Sequence, residues 1–184
     1  MISLILYLIA IISLLIFLIF MSVYGLSLIY SSLMGSPYVP TRSKVILEIL
    51  SEVKFKKNKL FIELGSGDAR VIRLAVKKYH LKGLAVDING LINLWAKILS
   101  KFDKTNKDIV FKTENIFDTN LTKADYLYLF LMPDLLKKLV SKFDKELKKG
   151  TILISHGFPI NEYKNRLIKR ADRRPFPTYY YRIK

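Results

Sequence analysis

The chain contains no cysteine. That single absence removes a disulfide framework, a thiolate zinc site and a cysteine nucleophile, and no metal is assigned from the sequence. Charge is missing from the whole first part, where Arg42 is the first charged side chain of a protein of 184 residues. Acidic residues are scarce as well: 15 Asp and Glu stand against 31 Lys and Arg, for a net charge of +16, all of it beyond residue 41. The two regions must therefore face different solvents. No internal repeat and no low-complexity linker is present. The length leaves room for one anchor and one compact domain, since a domain takes roughly 100 to 200 residues.

What the first part does have is an almost continuous apolar run from Ile2 to Tyr30, broken only by residues such as Ser13, Ser22 and Gly25. About 20 such residues span a bilayer's hydrocarbon core. A secretory signal peptide would need a basic segment ahead of a shorter apolar run, and no basic residue precedes this one. The sequence thus predicts a retained transmembrane helix. Arg42, Lys44, Lys54, Lys56, Lys57 and Lys59 all follow it. By the positive-inside rule this makes a single-pass protein with its domain on the cytoplasmic side. The expected division is an anchor over 1–34, a linker and preceding helix over 35–59, and the main domain over 60–184. So basic a domain attracts anions, and lipid headgroups have first claim, at about 1 kcal/mol per juxtamembrane lysine or arginine.

In the linker, Pro37 and Pro40 forbid helix continuation. Thr41 is placed to cap a helix whose apolar positions Val45, Ile46, Ile49, Leu50 and Val53 recur at helical spacing, and this helix is expected on a sheet edge. Strand-like runs follow at residues 60–64, 83–88, 109–113, 125–131 and 151–155, with crossover-length helical segments at 70–79, 91–102 and 133–147. Alternation of this kind implies an α/β fold with a parallel, doubly wound sheet. Residues 166–171 and 178–183 read instead as an antiparallel hairpin closing one edge. Within it, Tyr179-Tyr180-Tyr181 is expected to alternate across an edge strand rather than to form an aromatic cage.

The strongest chemical signal is Phe61-Ile62-Glu63-Leu64-Gly65-Ser66-Gly67-Asp68-Ala69-Arg70, a buried strand running into a glycine turn and a helix. Gly65 and Gly67 permit tight turning and close backbone approach, and the helix start behind them offers free N–H groups to a ligand. Asp87 lies twenty residues after Gly67 at the end of the next strand, where a carboxylate can accept hydrogen bonds from ribose hydroxyls. A nicotinamide dinucleotide uses the same geometry. Against it stand Arg70 at the third glycine position, Glu63 ahead of the turn, and the little chain left for a substrate domain.

The stretch from Ile62 to Asp68 resembles motif I of the seven-strand, Rossmann-like methyltransferases that use S-adenosylmethionine. Asp87 resembles their ribose-binding acid, and Asn115-Ile116 the polar and apolar pair that meets the adenine. A narrower resemblance is to the membrane-anchored protein-lysine methyltransferases related to the enzyme that methylates a lysine of the ATP synthase c-ring protein. It rests on the leading hydrophobic segment, on Pro37-Tyr38-Val39-Pro40-Thr41, on the turn from Gly65 to Arg70 with Ala69 in place of a glycine, on Met132-Pro133 and on Phe158-Pro159. Glu63, Gly65, Ser66, Gly67, Asp87, Asn115 and Ile116 are then expected to form the cofactor pocket. Tyr38, Asp68, Met132, Pro133, His156 and Phe158 are expected on the substrate side, with Asp68, Tyr38 and Pro133 put first.

This resemblance implies methyl transfer to a lysine of a membrane-associated protein, with the membrane reached through the N-terminal helix and the basic surface. Two other readings stay open: a lipid or small-molecule acceptor, and a nucleic-acid-binding module suggested by Lys164, Arg166, Lys169, Arg170, Arg173 and Arg174. No interleaved stacking aromatics accompany those basic residues, so nucleic acid is disfavoured. No catalytic base stands out. His156 reads as a structural hydrogen-bond partner, His80 as a residue at a helix C-terminus, and Asp68 equally as a helix cap.

Overall fold

A computed structural model describes residues 2–33 and 41–184, so Tyr38 and the rest of the Pro37 to Pro40 element lie outside the described residues. The apolar N-terminal run forms one helix, α1 (Ile2–Leu33). Residues Ser3–Leu26 of it are long and apolar enough to cross a membrane, and none of that stretch is buried in the protein.

The remainder is built on seven strands: β1 (Leu60–Leu64), β2 (Lys82–Asp87), β3 (Ile109–Thr113), β4 (Tyr126–Leu129), β5 (Ile152–His156), β6 (Leu167–Ala171) and β7 (Thr178–Arg182). They form a single sheet in the order β3-β2-β1-β4-β5-β7-β6. The first five are parallel, while β7 runs antiparallel to both β5 and β6. The expected doubly wound sheet and its closing hairpin are therefore present. Helices α3 (Arg70–Tyr79), α4 (Gly90–Phe102) and α5 (Pro133–Glu146) make the crossovers.

Two cores sandwich the sheet, as strand alternation requires. Phe61, Ala85, Tyr128, Ile154 and Tyr180 face a cluster shared with Ile72, Ala75 and Val76 of α3 and with Ile46, Ile49 and Leu50 of α2 (Ser43–Ser51). Ile62, Leu64, Leu127, Leu129 and Leu153 face the other way, onto Leu135, Leu136, Leu139 and Phe143 of α5.

Helix α2 departs from expectation in two respects. It starts at Ser43 with Arg42 as the capping residue and no side-chain cap bond, and the backbone carbonyl of Thr41 accepts a hydrogen bond from Arg70 Nη1 (3.1 Å). It also packs beside α3 on a sheet face, where the Tyr180 hydroxyl donates to the Ile49 carbonyl (3.0 Å), rather than on an edge. Three buried apolar side chains in nine residues need a broad surface to cover them, which an edge cannot give.

The tyrosine run behaves likewise. Tyr179-Tyr180-Tyr181 does not lie on an edge strand: β7 is flanked on both sides and β6 forms the edge. Tyr180 and Tyr181 point into opposite cores, and the Tyr181 hydroxyl accepts from the Ile160 amide (2.9 Å). The hairpin's first strand begins at Leu167, because residues Asn161–Arg166 form a 3-10 turn.

Candidate active site

In an open parallel sheet the strand order reverses once, and ligands bind beyond the carboxyl ends of the strands at that point. Here the reversal falls between β1 and β4, which pair directly. Beyond the carboxyl end of β1 lies Gly65-Ser66-Gly67-Asp68-Ala69; β2 ends at Asp87, β3 leads to Asn115 and Ile116, β4 to Met132 and Pro133, and β5 ends at His156.

The glycine turn is held by its neighbours. The amides of Gly65 and Ser66 both donate to the Val86 carbonyl (2.9 Å each), so the turn folds back across β2. Gly65 has φ +72°, and a Cβ there would stand 2.9 Å from Leu131 Cδ2. The left-handed backbone favours glycine here, and the Leu131 side chain would have to shift to admit a Cβ. Ala69 occupies a left-handed conformation too (φ 57°) and precedes α3. A glycine at that position would sit without the Cβ strain, which is the physical content of the departure from the Gly-Arg pattern.

Asp87 ties the turn to the next helix. Its carboxylate accepts from the Gly67 amide (2.7 Å) and from the Asn89 amide (2.8 Å). Burial pushes this carboxyl above its ordinary range, against the pull of those two amides. Asn89 in turn caps α4, its Oδ1 accepting from the amides of Leu91 (3.1 Å) and Ile92 (3.2 Å). One chain of hydrogen bonds thus runs from the glycine turn to the start of α4. Asp87 stands at the end of β2 as the sequence suggests, whereas Asn89 was not singled out; the Asp-x-Asn spacing ahead of a helical run was the available signal.

Glu63 is buried, and its Oε2 accepts from the Ile72 amide (3.0 Å) in the first turn of α3. Burial drives its carboxyl well above the usual range, and the nearby Asp68 and Asp87 add to the effect. Glu63 therefore secures the α3 start from beneath the turn. Ser66 is buried as well, and its hydroxyl has no hydrogen-bond partner among the described residues. A buried hydroxyl without a partner is costly and fits a ligand that supplies one.

Asp68 is engaged by Arg70: the guanidinium donates from Nε (3.0 Å) and Nη2 (2.7 Å) to Oδ2, and the Arg70 amide donates to Oδ1 (3.2 Å). The same guanidinium holds the Thr41 carbonyl. Sequence reasoning gave the Arg70 side chain no role, yet it ties the residue following the Pro-Tyr-Val-Pro element to the glycine turn. On β3's side, the Glu114 amide donates to the Asp87 carbonyl (3.2 Å), bringing Asn115 to the same sheet end. Asn115 is exposed and its Oδ1 accepts from the Phe117 amide (3.1 Å), while Ile116 is half-buried.

Pro133 opens α5, and Met132 beside it is exposed. His156 lies at the far side, its Nδ1 2.9 Å from the Thr178 hydroxyl, with its ring against those of Phe130 (4.6 Å) and Phe176 (6.0 Å). Desolvation first, and then the charge of Arg173, lower its pKa from 6.5 to about 4. A neutral imidazole so hard to protonate is a poor proton acceptor, and its contacts are structural. The Phe130, His156 and Phe176 rings form an aromatic group that periodicity alone did not reveal. Phe158 is half-buried after β5, its carbonyl accepting from the Ser155 hydroxyl (2.6 Å).

Of the six basic residues that raised the nucleic-acid reading, four are paired with acids: Arg166 with Asp144, Lys169 with Glu52, Arg170 with Asp172, and Arg173 with Glu48 and Glu52. The patch is largely neutralised within the protein itself.

A seven-strand α/β sheet with a closing hairpin, a glycine turn after β1 and an acid at the end of β2 define the methyltransferase class. Residues 63–166 match the family described as the ANTKMT methyltransferase domain, and the chain belongs to that family of S-adenosylmethionine-dependent enzymes. It is 32% identical over 138 residues to the protein-lysine N-methyltransferase of Saccharolobus islandicus (strain REY15A), covering 74% of this chain and 85% of that one. It is 28% identical over 132 residues to the Caenorhabditis elegans lysine N-methyltransferase named for the C-type subunit of ATP synthase, covering 68% of each. The crystal structure of an RNA methyltransferase from Salinibacter ruber in complex with S-adenosyl-L-homocysteine superposes with a TM-score of 0.74 over 79% of this chain and 94% of that one. At 23% identity that likeness concerns the fold.

Proposed function

We propose that this enzyme methylates a lysine side chain of a membrane-associated protein, working from the cytoplasmic face of a membrane that α1 crosses once. The observation that carries the cofactor half is the buried Asp87 carboxylate, bonded to Gly67 on one side and Asn89 on the other. It fixes an acid at the edge of a glycine turn, the place a ribose occupies in this fold. In this reading Gly65, Ser66, Gly67, Asp87, Asn115 and Ile116 surround S-adenosylmethionine, with Glu63 holding the turn and α3 in register. When bound, the cofactor supplies a sulfonium methyl group for in-line displacement by an amine.

The chain's own residues then align and dry the reacting pair. A lysine amine is mostly protonated at neutral pH, with a reference pKa near 10.4, and attacks only after losing that proton. Desolvation favours the neutral amine. Pro133, Met132 and the aromatic group of Phe130 and Phe176 at the ends of β4 and β7 provide an apolar surround. Asp68 and Tyr38 complete the substrate side in this assignment, with Asp68 set in place by Arg70. The lysine acceptor rests on the activity named for the relatives. The membrane placement rests on the length of the apolar helix and the lysines and arginines that follow it.

Calorimetry on the full chain in detergent tests the cofactor pocket. Wild type is expected to bind S-adenosylmethionine and S-adenosylhomocysteine, and Asp87→Ala to lose both; a folded wild type that bound neither would sink the assignment. Transfer of labelled methyl from the cofactor to lysine in membrane-fraction protein tests the acceptor, and label appearing only in lipid would replace it.

A further inference from the structure

Helix α4 is turned inside out. Toward the sheet it buries Asn93, Ala96 and Ser100 with Ile92, and toward the outside it presents Leu91, Leu94, Trp95, Ile98 and Phe102. Trp95 is 54% exposed and Phe102 79% exposed. Scattered exposed apolar residues are ordinary, but these five fall at helical spacing on one continuous stripe. Lys97 and Lys101, three residues after Leu94 and Ile98, run along the stripe's flank, and both are exposed. From residue 91 to residue 112 there are five lysines and two aspartates, and both aspartates are paired, Asp103 with Arg73 and Asp108 with Lys82. Large apolar and aromatic side chains bordered by lysines match the chemistry of an anionic bilayer's interface.

The stripe is also continuous with α1. A groove of about 450 Å³ lies between Phe20, Met21 and Tyr24 of α1 and Leu91, Leu94 and Trp95 of α4. Those α1 residues belong to the membrane-length stretch Ser3–Leu26.

We infer that α4 is a second membrane contact: it lies in the lipid interface beside α1, with its apolar stripe among the upper acyl chains and its lysines at the headgroups. This deepens the proposed function and rests on α1 crossing the membrane. Its consequence is positional. Asp87 and Asn89 stand at the start of α4, so an interfacial α4 holds the cofactor pocket against the bilayer surface. The acceptor lysine is then one that lies at the membrane surface, not one displayed on a distant soluble domain.

Trp95 is the chain's one tryptophan, so its fluorescence reports α4 alone. In the full chain reconstituted into vesicles containing anionic lipid, Trp95 emission is expected to be blue-shifted, quenched by lipids brominated on their acyl chains and protected from iodide. A Trp95→Phe, Phe102→Trp chain moves the reporter outside the groove and is expected to give the same result. A fluorophore on Ser13→Cys, unique because the chain has no cysteine, reports α1 separately. Quenching by iodide rather than by brominated lipid, with the Ser13 probe inside the bilayer, overturns the α4 contact alone. Shielding from both quenchers means that protein covers the stripe and overturns it as well. A Ser13 probe in water overturns the anchor on which the inference stands.

Discussion

Helices α3 and α4 make consecutive crossovers in one sheet and start beside one pocket, yet they bury opposite kinds of side chain. α3 follows the usual rule, with Val71, Ile72, Ala75 and Val76 inside and lysines at its exposed end. α4 presses Asn93, Ala96 and Ser100 inward, where the Asn93 amide donates to the Thr113 hydroxyl (2.8 Å), and leaves its largest apolar groups outside. The inner face of α4 is thus set apart by small and polar side chains, and not by hydrophobicity alone. A stripe that the core declines is free for another apolar medium.

The contrast predicts unequal costs. Ile72→Ala removes a fully buried side chain from the α3 core and is expected to cost about 2 to 5 kcal/mol, read from the urea midpoint in detergent. Shortening the Asn89 cap tests the feature that the two helices share, a start fixed beside the pocket. Asn89→Ala should lose about 1 kcal/mol in the same titration. The smallest effect belongs to the outer face of α4: Phe102→Ser should change stability by no more than about 0.5 kcal/mol, while in vesicles containing anionic lipid the quenching of Trp95 by brominated acyl chains becomes weaker. If Phe102→Ser were as costly as Ile72→Ala, the stripe would be part of the core and the contrast would collapse.

Much of the fold could be read from the sequence because each strand of the parallel sheet is short, apolar and bounded by a turn. Leu60–Leu64, Ile109–Thr113 and Arg70–Tyr79 fall where the pattern put them, and the other strands and crossover helices differ by one or two residues at their ends. The glycine turn and Asp87 were legible for a related reason: their spacing is set by the length of one strand-helix-strand unit. Three things were not. The helix after the linker starts one residue later than a Thr41 cap would have it, with Arg42 at the cap and the Thr41 carbonyl held by Arg70, twenty-nine residues on. The place of α2 on a sheet face depends on β7, from the far end of the chain. The inner face of α4 meets Thr113 of the following strand through Asn93, and helical periodicity shows that a stripe exists without saying which medium it faces.

The bond from Arg70 to the Thr41 carbonyl also sets a working radius. From Leu33, the last residue of α1, to Thr41 there are eight peptide steps, and an extended chain covers at most about 3.5 Å per step, or roughly 28 Å in all. Because Thr41 is fastened to the glycine turn, that length limits how far the turn can stand from the end of α1. If α1 spans a membrane as proposed, the glycine turn works on a short tether, like a compass with its point at the end of α1.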